Sequence, residues 1–112
     1  MARTGEQYID GLKDTRSVWL GNEKVSVTEH PVLAGSIKGM SGYFDWQHRF
    51  ADNCLVDNPD VGAITNACLL IPRGKEDLQK RHRSFDKLAR YSYGMLGRTP
   101  DYVQTVLSGF AA

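Results

Sequence analysis

Apolar and polar positions alternate along this chain with two different periods, and the changes between them predict its elements. Thr4 can cap a first helix, with Gln7 three residues later completing a capping-box pattern. Tyr8, Ile9 and Leu12 then share a face, and the helix should fade near Lys13-Asp14. Two short β-prone runs, Ser17–Leu20 and Glu23–Val27, flank Gly21-Asn22 and read as a tight hairpin. A lone hairpin is marginal in water, so Trp19 is expected to pack on something larger.

Thr28-Glu29-His30-Pro31 is a helix-start signal, because proline suits the first turn. From Pro31 to about Ala51, Leu33, Ile37, Met40 and Phe44 recur at helical spacing, with Tyr43 and Trp46 adding bulk. Gly35, Gly39 and Gly42 lie within this helix on one side, a spacing that predicts close approach of another backbone. The segment Asp52–Asp60 reads as a polar connection, and Val61–Ile71 as an extended stretch stopped by Pro72. A third helix is expected from about Lys75 to Leu96. Its inward stripe would be Leu78, His82, Phe85, Leu88 or Ala89, Ser92 and Met95, with Gly97 ending it. Thr99 then caps, and Pro100 starts, a fourth helix carrying Val103, Val106, Leu107 and Phe110. The fold class is therefore mainly α, with a short β-hairpin near the start and an extended segment before the third helix.

Composition narrows the function. With 112 residues, 41% hydrophobic and 24% charged, the chain suits one ordinary globular domain. Fourteen Lys and Arg against thirteen Asp and Glu leave a formal charge of +1, without the basic excess of a dedicated nucleic-acid binder. No run of about 18 apolar residues suggests a membrane span, and the amino terminus lacks the apolar stretch of a secretory signal. A cytoplasmic protein is expected. Gly109-Phe110-Ala111-Ala112 ends an apolar helix face without a polar tail, so a piece of a longer chain is expected too. Such a piece should expose an apolar patch and self-associate.

Candidate chemistry is sparse. Cys54 and Cys68 form no C-x-x-C pair, and His30, His48 and His82 have no ligand-spaced partners, so no metal site is expected. The two cysteines read as semi-buried thiols. Lys80-Arg81-His82-Arg83 fans around a helix, with Glu76 and Asp77 one turn upstream to neutralise it, and reads as a solvated face. The sharpest constellation is Gly97-Arg98-Thr99-Pro100-Asp101-Tyr102. A helix N-terminus offers unpaired N–H groups and partial positive charge. Arg98 adds a permanent cation and Tyr102 a phenol that can donate, together suiting an oxyanion such as a phenolate. Alternatively, Arg98 pairs with Asp101 and Tyr102 merely packs.

These residues also carry a family resemblance. Arg3–Leu12, Val18–Val25, Val27–Pro31, Ile71-Pro72-Arg73 with Asp77-Leu78, and Tyr93–Tyr102 occur in order. Together they resemble the amino terminus of the oxygenase (large) component of 4-hydroxyphenylacetate 3-monooxygenases. The Gly-Arg-Thr-Pro-Asp-Tyr block is the most specific part. The resemblance implies a two-component flavin monooxygenase: a separate reductase supplies reduced FAD, and dioxygen is used to hydroxylate a phenol ortho to its hydroxyl group. It implies a fold similar to acyl-CoA dehydrogenases, with a helical amino-terminal domain, an FAD-binding middle β domain and a carboxy-terminal helical bundle that makes a tetramer.

Residues 1–112 correspond to the first domain alone. The family's phenol-binding Arg and Tyr fall on Arg98 and Tyr102, while its histidine partner and most flavin contacts fall beyond residue 112. By itself the chain is expected neither to bind FAD tightly nor to turn over. A stand-alone, non-catalytic helical interaction domain of the same ancestry is the competing reading. A further branch, the 4-hydroxybutyryl-CoA dehydratases, carries an iron–sulfur cluster on two cysteines four residues apart. Here those positions approximately match Tyr93 and Gly97, and Cys54 and Cys68 do not fit that spacing.

Overall fold

A computed structural model describes residues 1–95 and 101–112. In chain order it contains α1 (Gly5–Asp10), β1 (Val18–Leu20), β2 (Glu23–Val25), α2 (Pro31–Arg49), α3 (Ala51–Cys54), β3 (Leu55–Asn58), β4 (Ala63–Asn66), a 3-10 turn (Ala67–Leu69), α4 (Lys75–Ser92) and α5 (Asp101–Ala111). The mainly helical class holds. The chain forms two compact units, residues 3–45 and residues 46–112 with 1–2.

In the first unit, the capping box at Thr4 forms as the sequence predicts. The Thr4 hydroxyl accepts from the Gln7 amide at 3.2 Å, and the Gln7 side chain accepts from the Thr4 amide at 3.0 Å. The helix stops at Gly11, earlier than expected. The Gly5 amide donates to Asp45 Oδ1 at 2.8 Å, and Tyr8 stacks on Phe44 with ring centroids 5.2 Å apart, so α1 is fastened to α2 at both polar and aromatic points. Gly5 is required there: a Cβ would stand 2.6 Å from the Ser41 carbonyl oxygen and 2.5 Å from Asp45 Oδ2.

The hairpin forms with Leu20 opposite Glu23, and Gly21 takes φ of 60°, as the first position of a two-residue II′ turn demands. Trp19 does not pack on a larger body; it points to solvent, 59% exposed, because its strand turns that face outward. The glycines of α2 also differ from expectation. Among the described residues, no atom outside the helix's own backbone comes within 4 Å of a Cβ built at Gly35 or Gly39. His30 Nδ1 accepts from the Val32 amide at 3.3 Å, which caps the first turn of α2.

In the second unit, α2 ends at Arg49 rather than Ala51, because Phe50 leaves helical geometry (φ −116°, ψ 45°) before the single turn α3. The expected polar connection is instead a second hairpin. β3 pairs antiparallel with β4, from Leu55 opposite Asn66 to Asn58 opposite Ala63. Asn58 Oδ1 accepts from the Asp60 amide at 3.0 Å, and Gly62 takes φ of 61°. The extended stretch expected to follow is real only in part, since Ala67–Leu69 winds into a turn capped by Asn66 Oδ1 accepting from the Cys68 amide at 2.9 Å.

The core of this unit mixes apolar and polar groups. Cys54, Ala67, Cys68, Leu70 and Leu88 are buried, and so are Gln47, Asn66, Arg81, Ser84 and Ser108. Asn66 Nδ2 donates to Gln47 Oε1 at 2.9 Å, and Ser84 Oγ donates to Asn66 Oδ1 at 3.0 Å. Trp46 Nε1 donates to the Lys87 carbonyl at 2.9 Å, and its ring meets Phe50 and Tyr91.

The inward stripe of α4 is thus Arg81, Ser84 and Leu88, with Phe85 half-buried. Leu78, His82 and Met95 are exposed, contrary to expectation, while of the alternatives Leu88 and Ala89 it is Leu88 that is buried. The physical cause is the polar lining opposite α4, which takes up a guanidinium and a hydroxyl better than alkyl groups. The helix ends at Ser92 rather than near Leu96. Tyr93 adopts a left-handed conformation (φ 52°) and the Gly94 amide donates to the Ala89 carbonyl at 3.0 Å. The expected stop at Gly97, like the expected cap at Thr99 and start at Pro100, lies outside the described residues.

Glycine substitutions in the two helices of the first unit should move stability in opposite directions. Gly5→Ala should lower it by about 1–3 kcal/mol through overlap with the Ser41 carbonyl. Gly35→Ala should raise it by about 0.5–1 kcal/mol, since an exposed helix interior gains propensity and loses no contact. Urea unfolding of both variants checks the signs, and a destabilised Gly35→Ala would restore the close-packing role.

The buried thiols give a pH dependence. Burial pushes the Cys68 thiol up to about 12 and raises that of Cys54, outweighing the Ser84 hydroxyl, whose contact favours the thiolate. An unfolded thiol titrates near 9, so the neutral form is the one the native state prefers. Stability should hold below about pH 9 and decline as pH rises toward 12. Replacing Cys68 with Ala should flatten that decline in denaturant titrations, and a thiol reagent at pH 8 should leave the native chain unlabelled.

Candidate functional site

The predicted site is divided by the description. Arg98 lies outside the described residues; Tyr102 is the second residue of α5 and half-exposed. The helix that carries Tyr102 is held by contacts to α4.

Those contacts are polar. Arg81 Nη1 donates to the Cys68 carbonyl at 2.7 Å, the Leu70 carbonyl at 2.6 Å and Ser108 Oγ at 3.0 Å, while Nη2 donates to Thr105 Oγ1 at 3.0 Å. Ser108 Oγ in turn donates to the Gln104 carbonyl at 2.8 Å. One planar cation thereby ties α4, the segment after the 3-10 turn and α5 together. Burial drags the Arg81 pKa down, yet a guanidinium stays charged at any ordinary pH. The basic run was read as a solvated face. Lys80 fits, pairing with Glu76 at 3.2 Å and Asp77 at 3.4 Å, and His82 and Arg83 are exposed. Arg81 does not fit: it is 4% exposed.

Arg81 is the residue that sequence reasoning missed. Its signal was available in the spacing Arg81, Ser84, Leu88, one helical face, and in the paired hydroxyls Thr105 and Ser108 one turn apart on the last helix.

The apolar side chains of α5 face the other way. Val103, Val106, Leu107 and Phe110 are exposed, Phe110 by 88%, while Ser108 is buried. Tyr102 stands at the edge of that apolar face, one turn before Thr105. A phenol there can donate a hydrogen bond to an anionic oxygen held at the helix start.

Cofactor and metal chemistry finds little in the described residues. A groove of about 440 Å³ opens beside α5, but its lining is Asp60 with Asn58 and the apolar Val61, Leu69, Ile71 and Leu107. Among the described residues, no cluster of three His, Cys, Asp or Glu could hold a metal ion, and no helix is long and apolar enough to cross a membrane. Cys54 and Cys68 are both buried and free.

Similar proteins agree with this geometry. Residues 4–112 match the family described as "4-hydroxyphenylacetate 3-hydroxylase N terminal". The 4-hydroxyphenylacetate 3-monooxygenase oxygenase component of Thermus thermophilus is 38% identical over 115 residues, covering 100% of this chain and 24% of that protein. A crystal structure of the oxygenase component of 4-hydroxyphenylacetate 3-monooxygenase, complexed with FAD and 4-hydroxyphenylacetate, superposes with a TM-score of 0.85. It is 37% identical and spans 98% of this chain and 24% of that one. An oxygen-tolerant archaeal 4-hydroxybutyryl-CoA dehydratase from N. maritimus superposes with a TM-score of 0.68 at 26% identity, over 82% of this chain and 19% of its own. The chain spans about a quarter of the length of the monooxygenases it matches. Likeness is greater to the monooxygenases, and positions 93 and 97 carry Tyr and Gly where the dehydratase reading would place cysteines. A match over nearly the whole chain, with the same fold, settles its kinship: the chain belongs to the 4-hydroxyphenylacetate 3-hydroxylase family and corresponds to its helical amino-terminal part.

Proposed function

We propose that residues 1–112 form the helical amino-terminal domain of a two-component, FADH2-dependent aromatic monooxygenase, in which Arg98 and Tyr102 hold the phenol oxygen. The observation that carries the reading is the Gly97–Tyr102 block. It leads into a helix that Arg81 anchors, in a chain whose fold matches an oxygenase structure complexed with FAD and 4-hydroxyphenylacetate. The reaction is insertion of one atom of dioxygen ortho to the phenol hydroxyl, with electrons from reduced FAD that a reductase component delivers. Most FAD contacts are assigned to a middle β domain beyond residue 112, and the active assembly is a cytoplasmic homotetramer.

The chemistry assigned to this chain is electrostatic. Hydroxylation of an aromatic ring by an electrophilic oxygen is faster on the phenolate, whose oxyanion pushes electron density to the ortho carbon. The Arg98 guanidinium favours that ionised form and stays cationic throughout. The Tyr102 hydroxyl donates a hydrogen bond to the same oxygen, and two fixed donors orient the ring better than one. Neither residue removes the phenol proton; the family's histidine is assigned that step.

The test expresses the reading frame through its natural stop and supplies reductase, FAD, NADH, dioxygen and 4-hydroxyphenylacetate. The expected product is the catechol, identified by mass. Arg98→Ala should lose about 2–4 kcal/mol of transition-state stabilisation, and Tyr102→Phe about 1–2 kcal/mol, as expected for one hydrogen bond to a charged group. Unchanged kcat/KM in both variants would remove the pair from the mechanism, and absence of catechol from the unsubstituted enzyme would remove the activity.

A further inference from the structure

We propose that Arg81 is a positioning residue for the phenol site: through Thr105 and Ser108 it sets the place of α5, and hence of the Tyr102 hydroxyl. The proposal rests on the reading of Tyr102 as a phenol-binding group. Arg81 itself is too deeply buried to touch a substrate, at 4% exposed, so its effect is transmitted through the helix.

The geometry is specific. The guanidinium is planar, and its two terminal nitrogens together bridge two bodies. Nη1 spans the Cys68 and Leu70 carbonyls, which fixes the cation to the 3-10 turn and the strand-like residues after it. The same nitrogen reaches Ser108 at 3.0 Å, and Nη2 reaches Thr105 at 3.0 Å. Those two hydroxyls lie three residues apart, one turn of α5, so the fork grips the helix at two heights and resists both sliding and rotation. The Phe85 ring lies against the guanidinium carbon at 5.4 Å and holds its plane.

Among the described residues, the apolar side chains of α5 add little competing restraint. Val103, Val106, Leu107 and Phe110 lie on the exposed face. An ordinary amphipathic helix is held by a broad apolar stripe that tolerates small shifts. This one is held by directional bonds to a single cation, and such bonds weaken steeply when misaligned. Tyr102 sits one turn before Thr105 on the same helix, so a shift of the anchor moves the backbone that carries it.

The decisive variant removes the α5 side of the fork and leaves Arg81 on its two carbonyls. In the complete oxygenase with its reductase, Thr105→Val with Ser108→Ala should lower kcat/KM for 4-hydroxyphenylacetate about tenfold or more, because small misplacement of a positioning group is costly. The pH at which bound phenol ionises, followed by its ultraviolet phenolate band, should rise. The conservative pair Thr105→Ser with Ser108→Thr keeps both hydroxyls and should retain wild-type values. Arg81→Lys, a single point charge in place of a fork, should resemble the Val/Ala pair. A purely structural role would lower the melting temperature of the Val/Ala pair while leaving its kcat/KM and phenol ionisation at wild-type values below that melt. That result would overturn the proposal.

Amide exchange separates this failure from failure of the parent reading. Amides 104–110 should exchange about tenfold faster in the Val/Ala pair than in the wild-type chain. Unchanged exchange overturns the anchoring whatever the activity. Faster exchange in an enzyme whose Tyr102→Phe variant hydroxylates normally would keep the anchor and reject Tyr102 as its object. If Arg81→Lys does not fold, the two double variants still decide.

Discussion

Taking a guanidinium out of water is unfavourable by several kcal/mol, and the Arg81 contacts offset that penalty without any carboxylate among them. Its hydrogen bonds to Cys68, Leu70, Thr105 and Ser108 all end on neutral oxygens. Each is charge-assisted, which makes it stronger than its neutral counterpart, and the two to backbone carbonyls are short, at 2.7 and 2.6 Å. The consequence is structural economy: backbone carbonyls beside a single 3-10 turn gain donors, and a helix otherwise lacking an inward apolar stripe gains a dock. Neighbouring polar groups follow the same logic, with Asn66 capping the turn and accepting from Ser84 while donating to Gln47. A half-satisfied version of this network would be worse than an apolar core, so its members depend on one another.

This arrangement links fold to the proposed function. A site that holds a phenolate needs its donors fixed to within a fraction of an ångström. A terminal helix with its apolar residues outward cannot obtain that precision from hydrophobic contact inside this chain. It obtains it from a cation whose geometry admits little variation. The apolar outer face of α5 is then left for other contacts, and the small-residue side of α2 at Gly35 and Gly39 is likewise open here. Both features suit a domain that forms part of something larger, in keeping with the quarter-length match to monooxygenases.

Some elements were plainly readable. Thr4 with Gln7, Gly21-Asn22 between β-prone runs, and Pro31 after a capping stretch are local devices, each satisfied by neighbours a few residues away. The β3–β4 hairpin was missed although Asn58-Pro59-Asp60-Val61-Gly62 carries its turn chemistry, because the flanking residues alternate poorly and include polar Asp57, Thr65 and Asn66. The site was half legible: the Arg98–Tyr102 block stood out, yet the residue that holds its helix was hidden inside a charged run.

The sequence by itself determined the helix starts at Gly5, Pro31 and Lys75, the first hairpin turn, the mainly helical class and, through its ordered blocks, the family. Those features depend on short-range capping, turn geometry and composition, which need no knowledge of distant partners. Tertiary structure alone decided which face of each helix turned inward. Leu78 and Phe110 went out while Arg81 and Ser108 went in, because burial is set by what stands opposite, and opposite them stood carbonyls and hydroxyls rather than methyl groups.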